Sequence, residues 1–100
     1  MGEVRLSRLA RRDLLEIWSH IAADKGPDTA DRWIDRIEAR CRQLAEFPES
    51  GPPRSDIAAG ARMMVIVRWL ALYEITKDGV CIMRVVDAAR NLGELDLSDA

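Results

Sequence analysis

The stretch that decides the fold covers residues 60–92, which read GARMMVIVRWLALYEITKDGVCIMRVVDAARNL. It is dominated by β-branched, aromatic and other apolar residues, a composition that favours strands. Arg68 interrupts the apolar run and marks a bend or turn between a strand over 61–67 and a second strand over Trp69–Thr76. The first half of the stretch therefore predicts two neighbouring strands.

A tight turn and a third strand follow. Lys77, Asp78 and Gly79 supply residue types that tolerate the positive φ of a hairpin turn. Residues 80–86 then return as an almost continuous apolar run, which predicts a strand at the centre of the sheet. Together the three strands are expected to form an antiparallel meander.

Two amphipathic helices are predicted upstream of the meander. Apolar residues recur every three or four positions from Arg8 to near Ala23, and again from Pro27 until Pro48 ends the pattern. Gly26 relaxes the backbone between them, and proline suits the first position of a helix. Because about four residues join them, the helices must pack antiparallel, as an αα-hairpin on one face of the sheet.

The remaining segments complete a single domain over residues 1–100. Alternation of apolar and polar residues over 3–6 predicts a short strand before the first helix. Residues 48–54 are rich in proline and glycine and predict a surface loop, while the acidic tail, 93–100, has little to bury and is expected to fray. The fold class is therefore α+β.

Composition excludes several kinds of function. The chain has 100 residues and no apolar run long enough for a membrane span, and its arginine-rich start is unlike a secretion signal, so we expect a cytoplasmic protein. A net charge of −2 weighs against direct nucleic-acid binding. One histidine, His20, and two isolated cysteines suit neither a metal centre nor a Ser-His-Asp triad, so no metal, cofactor or catalytic residue is expected.

In the order and spacing of its residues, the chain resembles the ParE branch of the RelE/ParE toxins of bacterial toxin–antitoxin modules. The matching residues extend over nearly the whole chain: Ala10, Asp13, Leu14, Ile17, Ile21, Ala30, Ile37, Leu44, Pro48, Gly51, Gly60, Ala61, Arg62, Tyr73, Arg84, Val85, Val86, Ala89 and Arg90. The resemblance implies a bacterial toxin that forms a hetero-oligomer with a ParD-like antitoxin and, for some relatives, poisons DNA gyrase. Two positions depart from the pattern, since Asp87 stands where histidine is common and Asn91 where aspartate is common.

Two alternatives to a gyrase-inhibiting toxin remain open. RelE-like relatives are ribosome-dependent ribonucleases, whose chemistry needs basic residues beside a proton donor or acceptor, commonly near the C-terminus. Here the residues after Arg90 turn acidic, Tyr73 lies in mid-strand and His20 lies far back in the first helix, so we expect no enzyme activity. The other alternative is a non-toxic relative that only binds an antitoxin.

A toxin that acts by binding another protein needs an exposed patch with arginine and aromatic anchors. The predicted binding residues are Arg62, Arg68, Trp69, Tyr73, Arg84 and Arg90. For Trp33 and Trp69, packing in the core is the alternative to contact with a partner. For the arginines, the alternative is a position at a strand end in contact with water alone. The arginine bias itself has a second explanation in a genome rich in G and C.

Overall fold

The computed structural model describes residues 2–89 and 92–98. Its elements are β1 (Glu3–Leu6), α1 (Arg8–Lys25), α2 (Pro27–Gln43), β2 (Ala61–Ile66), β3 (Trp69–Thr76), β4 (Gly79–Asp87) and a short 3₁₀ helix (Leu92–Glu94). The four described strands form one sheet in the order β1-β4-β3-β2. β1 runs parallel to β4, and the other neighbours are antiparallel. The predicted α+β class, the meander and the central position of the last strand are confirmed.

The αα-hairpin is tighter than predicted. α1 reaches Lys25, and a single residue, Gly26, separates it from α2. Gly26 has a φ of 92°, a conformation that glycine adopts without steric cost, and its N–H still donates to the carbonyl of Ala22. At the other end, α2 stops at Gln43 rather than continuing to Pro48, because the chain tightens into successive i to i+3 turns.

A capping contact ties the start of α1 to the sheet. The Ala10 N–H donates to the Ser7 hydroxyl oxygen at 3.0 Å, which makes Ser7 the N-cap of the helix. The same hydroxyl donates to the carbonyl of Met83 in β4 at 2.8 Å. Ser7 therefore caps the N-terminus of α1 and also attaches the helix to the central strand.

Apolar residues cover both faces of the sheet. On one face, α1 and α2 close a core that includes Ile37, Leu44, Tyr73 and Ile82. On the other face, a second cluster contacts apolar residues of the 52–60 loop and of the C-terminal segment; its buried members are Ala61, Met63, Leu70, Leu72, Met83 and Val86. The sequence predicts a frayed tail, whereas Leu92, Leu95 and Leu97 pack against this second cluster because the face would otherwise be exposed.

Two local irregularities shape the meander. β2 ends at Ile66, and the two-residue turn that follows places Val67 at a φ of 58°, which is uncommon for a β-branched side chain. In β4 the pairing shifts, since Leu72 faces Arg84 while Tyr73 faces Ile82. The extra residue in β4 is a β-bulge, a feature that redirects nearby side chains.

Candidate partner-binding surface

Arg84 follows the bulge in β4, and its guanidinium is buried against α1. Its Nε and Nη2 donate to the two carboxylate oxygens of Asp13 at 2.7 and 2.8 Å, and its Nη1 donates to the carbonyl of Asp96 at 2.7 Å. Asp13 also accepts the Val85 N–H at 2.9 Å. Hydrogen bonding to Asp13 raises the pKa of Arg84, so its guanidinium stays charged. Arg84 thus joins α1, β4 and the C-terminal segment, and partner contact by Arg84 stays an untested prediction.

Tyr73 and Arg62 hold the 48–54 loop against the sheet. The fully buried Tyr73 donates its hydroxyl proton to the carbonyl of Pro48 at 2.7 Å and accepts the Gly51 N–H at 2.9 Å. Arg62 lies opposite Tyr73 and donates from Nη1 to the carbonyl of Gly51 at 2.6 Å. Both predicted binding residues therefore organise the loop beside β2.

Trp69 and Arg68 meet at the start of β3. Trp69 is buried and packs edge-to-face on Trp33, with ring centroids 5.5 Å apart. Arg68 lies over the Trp69 ring at 5.6 Å and donates to Asp87 at 3.0 Å from an exposed position. The Ala89 N–H, and then Arg68, lower the pKa of Asp87. Of the predicted residues that the structure describes, Arg68 is the one with a largely exposed side chain.

The predicted binding residues do not form one patch. Arg68 and Trp69 share one end of the meander, while Arg62 and Tyr73 face each other nearer its other end. Arg84 is turned toward α1. Arg90 and Asn91 lie outside the described residues. Among the residues described, Asp87 forms its ion pair with Arg68, while Arg84 pairs with Asp13.

A groove of about 310 Å³ lies between α1 and the ends of β3 and β4. It is lined by Asp13, Glu16, Ile17, His20, Ile21, Arg68, Trp69, Val85, Val86 and Asp87. His20 lies far back in the first helix along the sequence, but in the fold His20 and Arg68 line the same groove. The carboxylates of Glu16 and Asp87 work against holding a phosphate there, since like charges repel.

A second groove, of about 460 Å³, lies between the end of α2 and the outer edge of β2. Its lining residues are Arg40, Gln43, Phe47, Ser50, Gly51, Pro52, Arg54, Met63, Met64 and Val65. Phe47 and Val65 are 63% and 60% exposed, which is unusual for large apolar side chains. Sequence reasoning missed this surface. One available signal was Phe47, an aromatic residue outside the apolar stripe of α2 and directly before a proline-rich loop.

The cysteines offer little chemistry. Cys41 and Cys81 are both buried, and burial raises the pKa of the Cys41 thiol to about 11, which keeps it protonated and unreactive. Within residues 2–89 and 92–98, His, Cys, Asp and Glu side chains form no group of three able to hold a metal ion. The described helices include none long and apolar enough to cross a membrane.

Comparison with known proteins agrees with this architecture. Residues 4–92 match the family model described as "ParE toxin of type II toxin-antitoxin system, parDE". Toxin ParE3 of Caulobacter vibrioides is 32% identical over 92 residues, which is 92% of each chain. Toxin ParE1 of the same organism is 30% identical over 91 residues, covering 91% of this chain and 94% of the relative.

A solved structure shares the fold. The model superposes with a TM-score of 0.77 and 21% identity on a chain of the chromosomal ParDE toxin–antitoxin system from P. aeruginosa, covering 87% of this chain and 96% of the other. The shared fold is an αα-hairpin on a four-stranded sheet. The chain belongs to the ParE toxin family of type II toxin–antitoxin systems.

Proposed function

We propose that this chain is a toxin that inhibits DNA gyrase or a related type II topoisomerase in the bacterial cytoplasm. In the same proposal, a ParD-like antitoxin binds it tightly in a hetero-oligomer and neutralises it. The observation that carries the proposal is the family match over residues 4–92, together with two relatives named as toxins. The structural neighbour from a ParDE system supports an antitoxin as partner.

The geometry favours action by binding rather than by catalysis. The hydroxyl of Tyr73, the single tyrosine, is buried between Pro48 and Gly51 and is engaged as donor and acceptor. A general acid or base must reach the proton that it transfers, and this hydroxyl reaches only the loop. The groove beside His20 also contains the carboxylates of Glu16 and Asp87, which disfavour the binding of a phosphate there. Direct binding to nucleic acid is also disfavoured by the net charge of −2.

The proposal predicts how cells die when the chain is made without its partner. We expect growth arrest with DNA damage and, in vitro, inhibition of supercoiling by purified gyrase, while incorporation of amino acids into protein continues at first. Co-expression of the product of the adjacent reading frame should restore growth. Message cleavage with intact supercoiling would contradict gyrase inhibition. Binding to the neighbouring gene product without any growth arrest by the chain alone would identify a non-toxic relative.

A ribonuclease remains the second candidate because His20 and Arg68 line one groove. The variant His20→Ala separates the two mechanisms within the same assay. A gyrase inhibitor that does not use this groove keeps its toxicity, whereas a ribonuclease with His20 as proton donor loses message cleavage. Ser19→Ala, at the exposed neighbouring position in α1, is the matched control.

A further inference from the structure

β1 forms one edge of the sheet, and among the described strands it pairs with β4 alone. The N–H of Glu3, at the start of β1, donates to the carbonyl of Asp78 at 2.7 Å, and the N–H of Ser7, just after β1, donates to that of Ile82 at 2.9 Å. The backbone groups of these residues therefore point toward β4. Since backbone groups of successive residues alternate between the two sides of a strand, the N–H and C=O of Val4 point to the open edge.

The side chains of β1 differ between its two faces. Val4 and Leu6 are partly buried and pack against the core under α1 and α2, whereas Glu3 and Arg5 are exposed on the opposite face. A groove of about 220 Å³ lies beside the apolar face, between β1 and the helices. Its lining residues are Val4, Leu6, Leu14, Glu38, Cys41 and Arg42. The open edge thus has one apolar face and one charged face.

The sequence of β1 is complementary to itself in antiparallel register. When two copies of the strand pair with Val4 opposite Val4, the two valines exchange both of their outward N–H and C=O groups. Glu3 of each copy then faces Arg5 of the other in a non-hydrogen-bonded pair, where cross-strand side chains lie closest and opposite charges attract. Gly2 faces Leu6 of the other copy and, having no side chain, leaves room for it. A symmetric interface requires this kind of self-complementarity.

Charged side chains can also protect an edge strand from pairing. Protection by repulsion requires like charges to meet when a second strand approaches. In β1 the charges of Glu3 and Arg5 alternate in sign along one face, so a second copy of the same strand meets attraction at both positions. A second copy is therefore the occupant that this edge favours.

We propose that two copies of this chain associate through antiparallel pairing of β1, which joins their sheets into one continuous sheet. We call residues 2–6 of the two copies the β1 edge interface. Because a strand of four residues buries a small area, we expect association in the micromolar range. The proposal needs neither the antitoxin nor gyrase, so it stands or falls separately from the proposed function.

Sedimentation velocity of the purified full chain tests whether the dimer forms, over concentrations from about 1 to 500 μM. The sedimentation coefficient of the unmodified chain should rise with concentration from the monomer value to the dimer value. Val4→Pro removes the outward N–H, a change that an edge strand tolerates, and should weaken association by about tenfold or more. Val4→Ile keeps the N–H and should associate like the original chain. A folded, unmodified chain that stays monomeric throughout this range would overturn the proposal.

Two charge variants test the register and cover the case in which Val4→Pro does not fold, as judged by circular dichroism. Glu3→Arg and Arg5→Glu change exposed side chains, and each brings like charges together twice in the symmetric pair. Each variant alone should associate about tenfold more weakly than the unmodified chain. Mixed in equal amounts, the two variants again place opposite charges in both cross-strand pairs and should recover the original affinity as a heterodimer.

The control for these variants is Arg32→Glu, at an exposed position in α2, which should not change self-association. Two outcomes would show that another surface joins the copies and would overturn the proposal. One is a dimer that keeps its affinity in a folded Val4→Pro. The other is a mixture of Glu3→Arg and Arg5→Glu that associates no more tightly than either variant alone. Both outcomes leave the proposed function untouched.

Discussion

Arg84 and Arg68 come from the same meander, and each donates to an aspartate, at 2.7 and 3.0 Å respectively. Their surroundings differ. The side chains of Arg84 and Asp13 are 7% and 6% exposed, whereas those of Arg68 and Asp87 are 64% and 45% exposed. Breaking a buried pair leaves an uncompensated charge in the interior, while an exposed pair exchanges its partner for water. Burial, rather than residue type or pairing distance, separates a structural arginine from one available to a partner.

The largest expected effect is on the buried side of this comparison. Arg84→Ala should lower the free energy of unfolding by about 3–5 kcal/mol, because the Asp13 carboxylate loses its two guanidinium contacts while remaining buried. The carbonyl of Asp96 loses its donor as well. Urea unfolding followed by circular dichroism measures the change.

A double variant makes the cause specific. Replacing both members of the pair, as in Asp13→Leu with Arg84→Met, removes the isolated charge and should recover part of the lost stability. Recovery will be incomplete, since the Val85 N–H then lacks its acceptor. If Arg84→Ala instead keeps full stability but loses toxicity or antitoxin binding, Arg84 contacts a partner and burial does not separate the two arginines.

A smaller loss is expected at Tyr73, which is buried but carries no charge. Tyr73→Phe leaves the carbonyl of Pro48 and the N–H of Gly51 without their hydroxyl partner, at a cost of about 1–3 kcal/mol. Faster hydrogen exchange at the Gly51 amide should accompany the lower urea midpoint. Ile75→Val, at the exposed end of the same strand, is the matched control and should change neither the urea midpoint nor the exchange rate at Gly51. An unchanged exchange rate of the Gly51 amide in Tyr73→Phe would mean that other contacts hold the loop.

The order of helices and strands could be predicted because it depends on local sequence patterns. Periodicity and the residues Gly26, Pro27 and Gly79 predicted the element order, because apolar spacing and special backbone conformations act over a few positions. The length of the helix connection and the turn at Val67 were not predictable in this way. The helix connection is short because Gly26, at a positive φ, reverses the chain without further residues. The turn was not predictable because β-branched residues such as Val67 rarely adopt a positive φ.

The candidate site was harder to predict because burial depends on distant partners. Asp13 lies 71 positions from Arg84 in the chain, and nothing near either residue indicates that they meet. Likewise, His20 and Arg68 share a groove only because α1 packs across the sheet. Val65 looks like an ordinary strand residue in the sequence, and its exposure follows from the position of β2 at the edge of the sheet.

The smallest effect on stability is expected on the exposed side of the comparison. Arg68→Ala should leave the urea midpoint unchanged, since its ion pair with Asp87 lies in solvent. It should nevertheless weaken toxicity or antitoxin binding, if Arg68 contacts a partner as the sequence predicts. Arg68→Lys keeps the charge and tests whether the planar guanidinium over Trp69 matters.

Asp87 reports the lost pair directly, through a carboxyl titration followed by NMR. Its pKa is lowered from 3.8 by the Ala89 N–H and, to a smaller extent, by Arg68. A carboxyl whose pKa is lower in the folded than in the unfolded state stabilises the fold at any pH above its unfolded-state pKa. This stabilisation is lost as the pH falls through the folded-state pKa. In Arg68→Ala, the pKa of Asp87 should therefore rise while staying below 3.8, because the Ala89 hydrogen bond remains. A fall in stability at neutral pH as large as that of Arg84→Ala would show that exposure does not make this pair dispensable.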